Sequence, residues 1–253
     1  MDLTDNEPGR SALAQAKMIE RGQPVRATLA RIFRQPTPEH RLRAAAEAEL
    51  RTSIVLDRLG PAWRVLHSVP VGADHPEISH LAIGPSGVFT LLARRHPAWR
   101  RQLNPERVHV RVAGDEILVD GIPMPYIPQA RAQAWRAARI VSAELGQPVH
   151  VRPVVVIVGP QDIHFHGPPG RVEVISRRHL ARRLAEFPTI NSPERVNLLY
   201  TTARATAAWP GEFAPENAPE DDVAGPGQPG PATSGGTWIT PAGCSGESAL
   251  RDE

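Results

Sequence analysis

The sequence predicts an α/β domain in which helices flank a mixed central sheet. Short strand-like runs separated by tight-turn signals fill the first half of the domain, and strand and helix patterns alternate in the second half. Val151–Val158 is an almost continuous β-branched run, which is typical of a strand buried on both faces. Hairpins followed by alternating strands and helices require antiparallel and parallel neighbours in the same sheet.

The chain is predicted to begin with a helical extension, residues 1–36. Its two short helical patterns are Leu13–Arg21 and Arg26–Phe33. The first helix of the domain is predicted to begin at Thr37 and Pro38, because threonine is a common N-cap and proline suits the first helical position. It is predicted to run to about Leu59 and to end at Gly60.

Five short strand candidates follow this helix. They are Trp63–Val69, Ile78–Ile83, Val88–Leu92, Val108–Val112 and Ile117–Val119. The turn sequences Gly84-Pro85-Ser86-Gly87 and Ala113-Gly114-Asp115-Glu116 predict that four of these strands form two hairpins. The later elements are a helix over Pro128–Leu145, the strand Val151–Val158, a strand over Arg171–Ile175, and helices over Arg177–Glu186 and Pro193–Ala207.

The composition narrows the class of protein. Aromatic residues make up only 5% of the 253 residues, so the core is expected to consist mainly of Val, Leu, Ile and Ala. The single cysteine, Cys244, excludes an internal disulfide and a zinc site built from several cysteines of one chain. Because no run is apolar enough to span a membrane and no secretory signal is visible, we expect a cytoplasmic protein without a membrane partner.

The net charge of +2 conceals an uneven distribution. The residues after Pro210 include eight acidic residues and one arginine, a balance of −7, which leaves +9 for the body of the chain. A basic, arginine-rich body suits DNA or RNA, although solvated arginine faces are equally common. Residues 210–253 are rich in Pro, Gly and Ser, so we predict a disordered acidic tail behind a domain over 37–209.

Short motifs in the first half of the domain occur in a recognisable order. The first helix carries Glu49, the next motifs are Ile78-Ser79-His80 and Gly87-Val88-Phe89, and a strand ends in Leu92-Ala93-Arg94. This series resembles the NERD (nuclease-related) domain family, a branch of the PD-(D/E)XK, restriction-endonuclease-like fold. The resemblance covers roughly residues 41–209, including Gln133 in the second helix, and it implies the same mixed α/β core.

Three of the four catalytic positions implied by the family are changed in this chain. Ser79, Leu92 and Arg94 stand where the family has an aspartate, an acidic residue and a lysine, and only Glu49 is kept. Nucleases of this fold hold Mg²⁺ through carboxylates, and the metal activates water. Serine is a poor Mg²⁺ ligand, leucine is none, and arginine cannot act as a base. The resemblance therefore implies a vestigial nuclease pocket without metal or cofactor, formed by Glu49, Ser79, His80, Leu92, Arg94 and Gln133.

The retained carboxylate has two interpretations. Glu49 lies in the middle of the apolar stripe of its helix, where an unpaired charge is costly, so we interpret it as a structural group with Arg94 as its partner. The alternative is an active Mg²⁺-dependent nuclease with relocated ligands such as Glu49, Glu77 and Asp74. Glu77 shares a strand face with Ser79, which favours its inclusion.

Histidines and arginines offer weaker signals. His80 is interpreted as a hydrogen-bonded residue at the pocket edge, and His164 and His166 are predicted to lie in a loop. No pair of histidines has the helical spacing of a zinc protease. Around Trp99, four arginines are candidates for contacts with nucleic-acid phosphates. They are Arg94, Arg95, Arg100 and Arg101.

These observations leave three hypotheses for function. The chain is a pseudo-nuclease that binds DNA or RNA through its basic surface, or an active nuclease with relocated Mg²⁺ ligands. The third hypothesis is a protein-interaction scaffold whose acidic tail binds a protein partner or masks the basic body.

Overall fold

The computed structural model describes residues 3–9, 38–71, 77–96, 108–167, 169–205 and 209. The predicted helices of the N-terminal extension and the predicted acidic tail lie outside these residues. The helices are α1 (Pro38–Leu56), α2 (Tyr126–Leu145), α3 (Leu180–Glu186) and α4 (Pro193–Arg204). The strands are β1 (Arg64–Val69), β2 (Ile78–Gly84), β3 (Gly87–Arg95), β4 (His109–Ala113), β5 (Glu116–Val119), β6 (Ile122–Met124), β7 (Val151–Val158), β8 (Asp162–Phe165) and β9 (Glu173–Ser176).

A five-stranded mixed sheet confirms the predicted fold class. Its order is β1-β2-β3-β7-β9, in which β1, β2 and β3 are antiparallel and β3, β7 and β9 are parallel. The predicted turn joins β2 to β3, and Gly87 adopts a φ of +139°, which side-chain-bearing residues rarely reach. In β7 every residue except Arg152 is buried, because parallel strands flank it on both sides.

A second sheet, of order β6-β5-β4-β8, was not expected from the sequence. The predicted hairpin of β4 and β5 is confirmed, with Ala113 opposite Glu116. The strands β6 and β8 were missed, because β6 has three residues and β8 has no fully buried residue, so neither shows apolar alternation. The prediction of a loop at His164 was wrong, since this residue lies in β8, whereas His166 follows the strand.

Several boundaries differ from the predicted ones. The helix α1 ends at Leu56 instead of Leu59, and residues 177–179 form a 3₁₀ turn before α3. The strand β3 continues to Arg95, three residues beyond its predicted end at Leu92. This continuation is stabilised by parallel pairing of Arg94 and Arg95 with the last two residues of β7. It fixes the backbone of the motif arginine within the sheet.

Apolar clusters hold helices against both faces of the five-stranded sheet. The helices α2 and α4 cover one face together with Leu81 and Ile83, and α1 and α3 cover the other together with Ala82 and Leu91. The second sheet packs against the first turns of α2 and against β7. No helix among the described residues has the length and apolar character needed to cross a membrane.

The N-terminal segment, defined here as residues 3–9, packs on β1 and α1. Leu3 is buried in the core cluster under α2 and α4. Asn6 Nδ2 donates to the backbone carbonyl of Ser68 at 3.0 Å, and Ser68 Oγ donates to the carbonyl of Glu7 at 3.1 Å. Gly9 lies so close to α1 that a Cβ at this position would be 3.0 Å from a backbone oxygen of the helix. The segment therefore closes over the helix turn that carries Glu49.

Candidate functional site

The motif residues of β2 and β3 lie where the two strands stop pairing. The register between them ends at His80 and Leu91. Continued by one residue, it sets Ser79 opposite Leu92 at the same end of the sheet. The helix α1 brings Glu49 to this end, because it packs along β3. The structure therefore brings Glu49, Ser79 and Leu92 to one end of the sheet.

Glu49 and Ser79 form the central contact of the site. Ser79 Oγ donates a hydrogen bond of 2.9 Å to Glu49 Oε1, and Ser79 is only 2% exposed. Burial raises the pKa of the Glu49 carboxyl above its usual value. The Ser79 hydroxyl, the charge of Arg94 and the backbone amide of Gly9 act in the opposite direction. The carboxylate is thus enclosed by donors supplied by the protein itself.

Arg94 points into the buried side of the site. Its Nη1 donates to the carbonyl of Ala93 at 3.0 Å, and its Nη2 donates to Gln129 Oε1 at 3.4 Å. The guanidinium carbon lies 5.6 Å from the centroid of the Tyr126 ring. Burial lowers the Arg94 pKa, while the charges of Tyr126 and Glu49 raise it. The Glu49 carboxylate accepts a hydrogen bond directly from Ser79, whereas the charge of Arg94 stabilises it at longer range.

Leu92 occupies the position of the acidic residue in the family motif. Its side chain is 1% exposed and belongs to the apolar cluster around Tyr126, Ile127 and Ala130 of α2. A carboxylate here would be placed in an apolar environment, where the ionised form is strongly disfavoured. Leu92 is therefore part of the hydrophobic core and offers no ligand to a metal.

Gln133 connects α2 to the chain that enters β2. Its Nε2 donates to the backbone carbonyl of Glu77 at 2.9 Å, and its Oε1 is buried without a hydrogen-bond partner. The negative charge of Glu77 raises the pKa of Glu49, so the two carboxylates are neighbours. Asp74, the other relocated-ligand candidate, lies outside the described residues.

His80 forms a buried pair with a residue that the sequence did not single out. His67 and His80 are opposite each other in β1 and β2, and their Nδ1 atoms are 2.7 Å apart. Burial lowers the pKa of both rings. The charge that His67 carries when protonated lowers the pKa of His80 further. One Nδ1 therefore donates to the other between neutral rings. The backbone carbonyl of Glu49 acts in the opposite direction and raises the His80 pKa, so the ring also faces the helix turn that carries Glu49.

A second buried histidine lies beyond Arg94. The Tyr126 hydroxyl and His96 Nε2 are 2.5 Å apart. Burial, followed by the charge of Arg94, lowers the pKa of His96 to about 4, so Nε2 accepts the tyrosine proton at neutral pH. No sequence pattern indicates this pair, because its residues are separated by 30 positions and belong to no motif.

The remaining nucleic-acid candidates lie toward the surface or outside the described residues. Arg95 Nη1 forms an ion pair with Glu47 Oε2, and Arg51 forms a second ion pair with Glu47 at 2.6 Å. The (i, i+4) spacing of Glu47 and Arg51 on a predicted helix is the signal that would have identified this pair. Arg100 and Arg101 lie outside the described residues.

The donor set of the site does not fit Mg²⁺. This ion requires several hard oxygen ligands in octahedral geometry. The motif positions supply one carboxylate, one hydroxyl, one aliphatic side chain and one guanidinium. Among the described residues, no group of three or more His, Cys, Asp or Glu side chains is placed to hold a metal ion.

Part of the chain matches a known protein family. Residues 44–158 match the family model described as the nuclease-related domain, NERD. The matched region begins in α1 and ends with the last residue of β7, so it contains the site described above. Neither the curated proteins nor the solved structures gave a match.

Proposed function

We propose that this chain, whose residues 44–158 belong to the nuclease-related (NERD) domain family, is a pseudo-nuclease that binds nucleic acid without hydrolysing it. The observation that carries the proposal is the hydrogen bond from Ser79 Oγ to Glu49 Oε1. The only catalytic carboxylate kept from the family motif accepts this bond and lies beside the charge of Arg94. A Mg²⁺ ion would have to displace these groups to reach it.

Loss of metal chemistry follows from three residues acting together. A hydroxyl at Ser79 is a weak ligand for Mg²⁺, and Leu92 offers no ligand at all. Arg94 places a fixed positive charge where a cation would bind, and like charges in a buried site repel strongly. Its guanidinium cannot accept a proton from water and so cannot replace the lysine of the family.

Binding of nucleic acid is supported by charge and by the family. The body of the chain carries +9, and its basic residues are arginines apart from Lys17. Guanidinium groups bind phosphate oxygens in a bidentate manner, which makes arginine the preferred residue for such contacts. A domain that has lost cleavage retains the means to hold a phosphodiester backbone.

Titration calorimetry with Mg²⁺ and with Mn²⁺, on the full chain, tests the loss of the metal site. We expect no binding heat for either ion, and no cleavage of DNA or RNA above a control that contains EDTA. The Glu49→Ala variant serves as the comparison. Metal-dependent cleavage that disappears in Glu49→Ala would refute the proposal.

One observation favours the second candidate, an active nuclease with relocated ligands. The charge of Glu77 raises the pKa of Glu49, so a cation held between the two carboxylates would relieve their repulsion. In that case calorimetry detects an ion whose binding is abolished both by Glu49→Ala and by Glu77→Ala. Exposed Glu144 provides the matched control, because Glu144→Ala removes the same charge from the far end of α2.

A further inference from the structure

The carboxyl ends of three parallel strands lie at the same end of the five-stranded sheet. Arg95 ends β3 opposite Val158, the last residue of β7, and Ser176 ends β9 opposite Ile157. The 3₁₀ turn that begins with Arg177 therefore lies at this carboxyl end. It is about 10 Å from the end of β3, because two strand spacings separate β3 from β9. The chain thus places basic residues from two distant segments side by side.

The helix α1 adds a third segment at this carboxyl end of the strands. Arg177 Nη1 lies 3.4 Å from the backbone carbonyl of Arg51, to which it donates. Arg51 and Arg95 are joined through Glu47, with side chains 45%, 30% and 36% exposed, respectively. We call Arg51, Arg95, Arg177 and Arg178 the basic rim. With Glu47 included, the rim has a formal charge of +3.

Two members of the basic rim lack an acidic partner. Within the part of the chain that the structure describes, neither Arg177 nor Arg178 forms an ion pair. Arg177 Nε is buried and has no hydrogen-bond partner, and Arg178 is exposed. A buried donor without an acceptor is rare in folded proteins, so a bound anion that reached Arg177 would satisfy it.

Two arginines of α3, the helix that follows this turn, already have acidic partners. Arg183 forms an ion pair at 3.1 Å with Glu173, the first residue of β9, and Arg182 forms one at 2.7 Å with Glu186. The guanidinium of Arg183 also lies 4.8 Å from the ring centroid of Phe187. Arg177 and Arg178 therefore differ from Arg182 and Arg183 in having no carboxylate partner among the described residues.

We propose that the phosphate backbone of nucleic acid binds along the basic rim and that Glu47 competes with it for Arg51 and Arg95. This inference rests on the proposed function, since it requires that the chain binds nucleic acid. Phosphate oxygens can accept from the exposed Arg178 and from the Arg177 donors that the Arg51 carbonyl does not occupy. They also displace Glu47, because a phosphodiester is a fixed anion that can accept from both guanidinium groups.

The first experiment removes positive charge from the rim. The variant Arg177→Gln/Arg178→Gln is compared with Arg64→Gln/Arg195→Gln, which loses the same charge at the other end of the strands. Arg64 is opposite Ile83, and α4, which carries Arg195, begins just after Asn191, whose side chain contacts Gly84. Fluorescence anisotropy with labelled single-stranded and duplex oligonucleotides of about 20 nucleotides is recorded from about 50 to 200 mM salt. We expect the rim variant to bind at least about fivefold more weakly and to lose about two units of salt slope, and the control to match the native chain.

The second experiment tests the competing carboxylate by a gain of affinity. Glu47→Gln removes the carboxylate that pairs with Arg51 and Arg95, so both guanidinium groups become available to phosphate. We therefore expect the variant to bind the oligonucleotides at least about threefold more tightly than the native chain. Glu186 is the matched control, because it also bridges two arginines, Arg182 and Arg183. Glu186→Gln is expected to leave the affinity unchanged.

The outcomes separate failure of the inference from failure of the proposed function. If the native chain shows no salt-dependent binding at low salt, the proposed nucleic-acid function is wrong and the inference falls with it. If the native chain binds but the rim variant and its control weaken binding equally, the inference alone is overturned. Equal gains from Glu47→Gln and Glu186→Gln would likewise show that only total charge matters.

Discussion

Ser79 and Glu49 are held together by a 2.9 Å hydrogen bond between a strand end and a helix. A carboxylate at position 79 would lie the same short distance from Glu49, and two anions there require a cation or a shared proton. A hydroxyl instead donates to the carboxylate. This donor explains how the half-buried Glu49 can be satisfied without a cation.

Returning position 79 to the acidic residue of the family should make stability depend on a divalent ion. In EDTA, Ser79→Asp is expected to lower the free energy of unfolding by about 1–3 kcal/mol, since it replaces a buried hydrogen bond by repulsion. Mn²⁺ or Mg²⁺ should recover part of this loss in the variant and leave the native chain unchanged. Thermal denaturation with and without the ions measures both effects. Equal stabilisation of the native chain by the ions would contradict the interpretation.

Replacing Glu49 by glutamine should have a pH-dependent effect on stability. The folded pKa of Glu49 is raised, so the native chain is most favoured when this group is protonated and loses stability as the pH rises through its folded pKa. Glu49→Gln removes this dependence. The stability of the variant relative to the native chain should therefore rise with pH from about pH 4.5 until the pH passes the folded pKa of Glu49. The slope should be at most about 1.4 kcal/mol per pH unit. Urea denaturation between about pH 4 and 8 measures the difference. Glu144→Gln, on an exposed helix position, controls for the loss of one carboxylate elsewhere in the chain.

The paired histidines should destabilise the protein in acid. The pKa values of His67 and His80 are lowered, so unfolded rings take up protons near pH 6.5 while the folded pair stays neutral. Stability present above about pH 6.5 is therefore lost as the pH falls toward the folded pKa values. His67→Gln should reduce the slope of unfolding free energy against pH by up to about 1.4 kcal/mol per pH unit. His179→Gln, at an exposed position, controls for the loss of one imidazole elsewhere in the chain.

Docking of the N-terminal segment should depend on Gly9. Gly9 has a φ of +76°, and a Cβ there would lie 3.0 Å from the Ala46 carbonyl oxygen. Gly60 has a φ of +85° with nothing within 4 Å, so Gly60→Ala carries the backbone strain, about 1–2 kcal/mol, without the clash. We expect faster hydrogen exchange at the amides of residues 3–9 in Gly9→Ala but not in Gly60→Ala. Unchanged exchange in both variants would contradict docking through this contact.

Removing the acidic tail should change the affinity for nucleic acid if the tail masks the basic body. Residues 211–253 carry −7, and an anionic segment tethered to a cationic surface competes with phosphate at high effective concentration. Deleting Pro210–Glu253 is expected to tighten binding at low salt and to have little effect at high salt. Anisotropy titrations of the full and shortened chains test this, and equal affinities at low salt would exclude masking.

Much of the fold could be predicted because its signals are local. The turn at Gly84–Gly87, the β-branched run of Val151–Val158 and the capped start of α4 at Ser192 each follow from adjacent residues, and the structure confirms them. The second sheet could not be predicted. Its edge strand β8 has no buried face and is stabilised by pairing with β4, a partner more than 50 residues away.

The sequence by itself determined which residues occupy the positions of the nuclease motif, because Glu49, Ser79, Leu92 and Arg94 are fixed by their order along the chain. Only the tertiary structure decided what these residues do. It directs the Ser79 hydroxyl to Glu49, packs Leu92 into the core under α2 and turns Arg94 toward Gln129. The physical reason is that burial and long-range hydrogen bonds set the protonation and the partners of each group, and both depend on segments that the sequence places far apart.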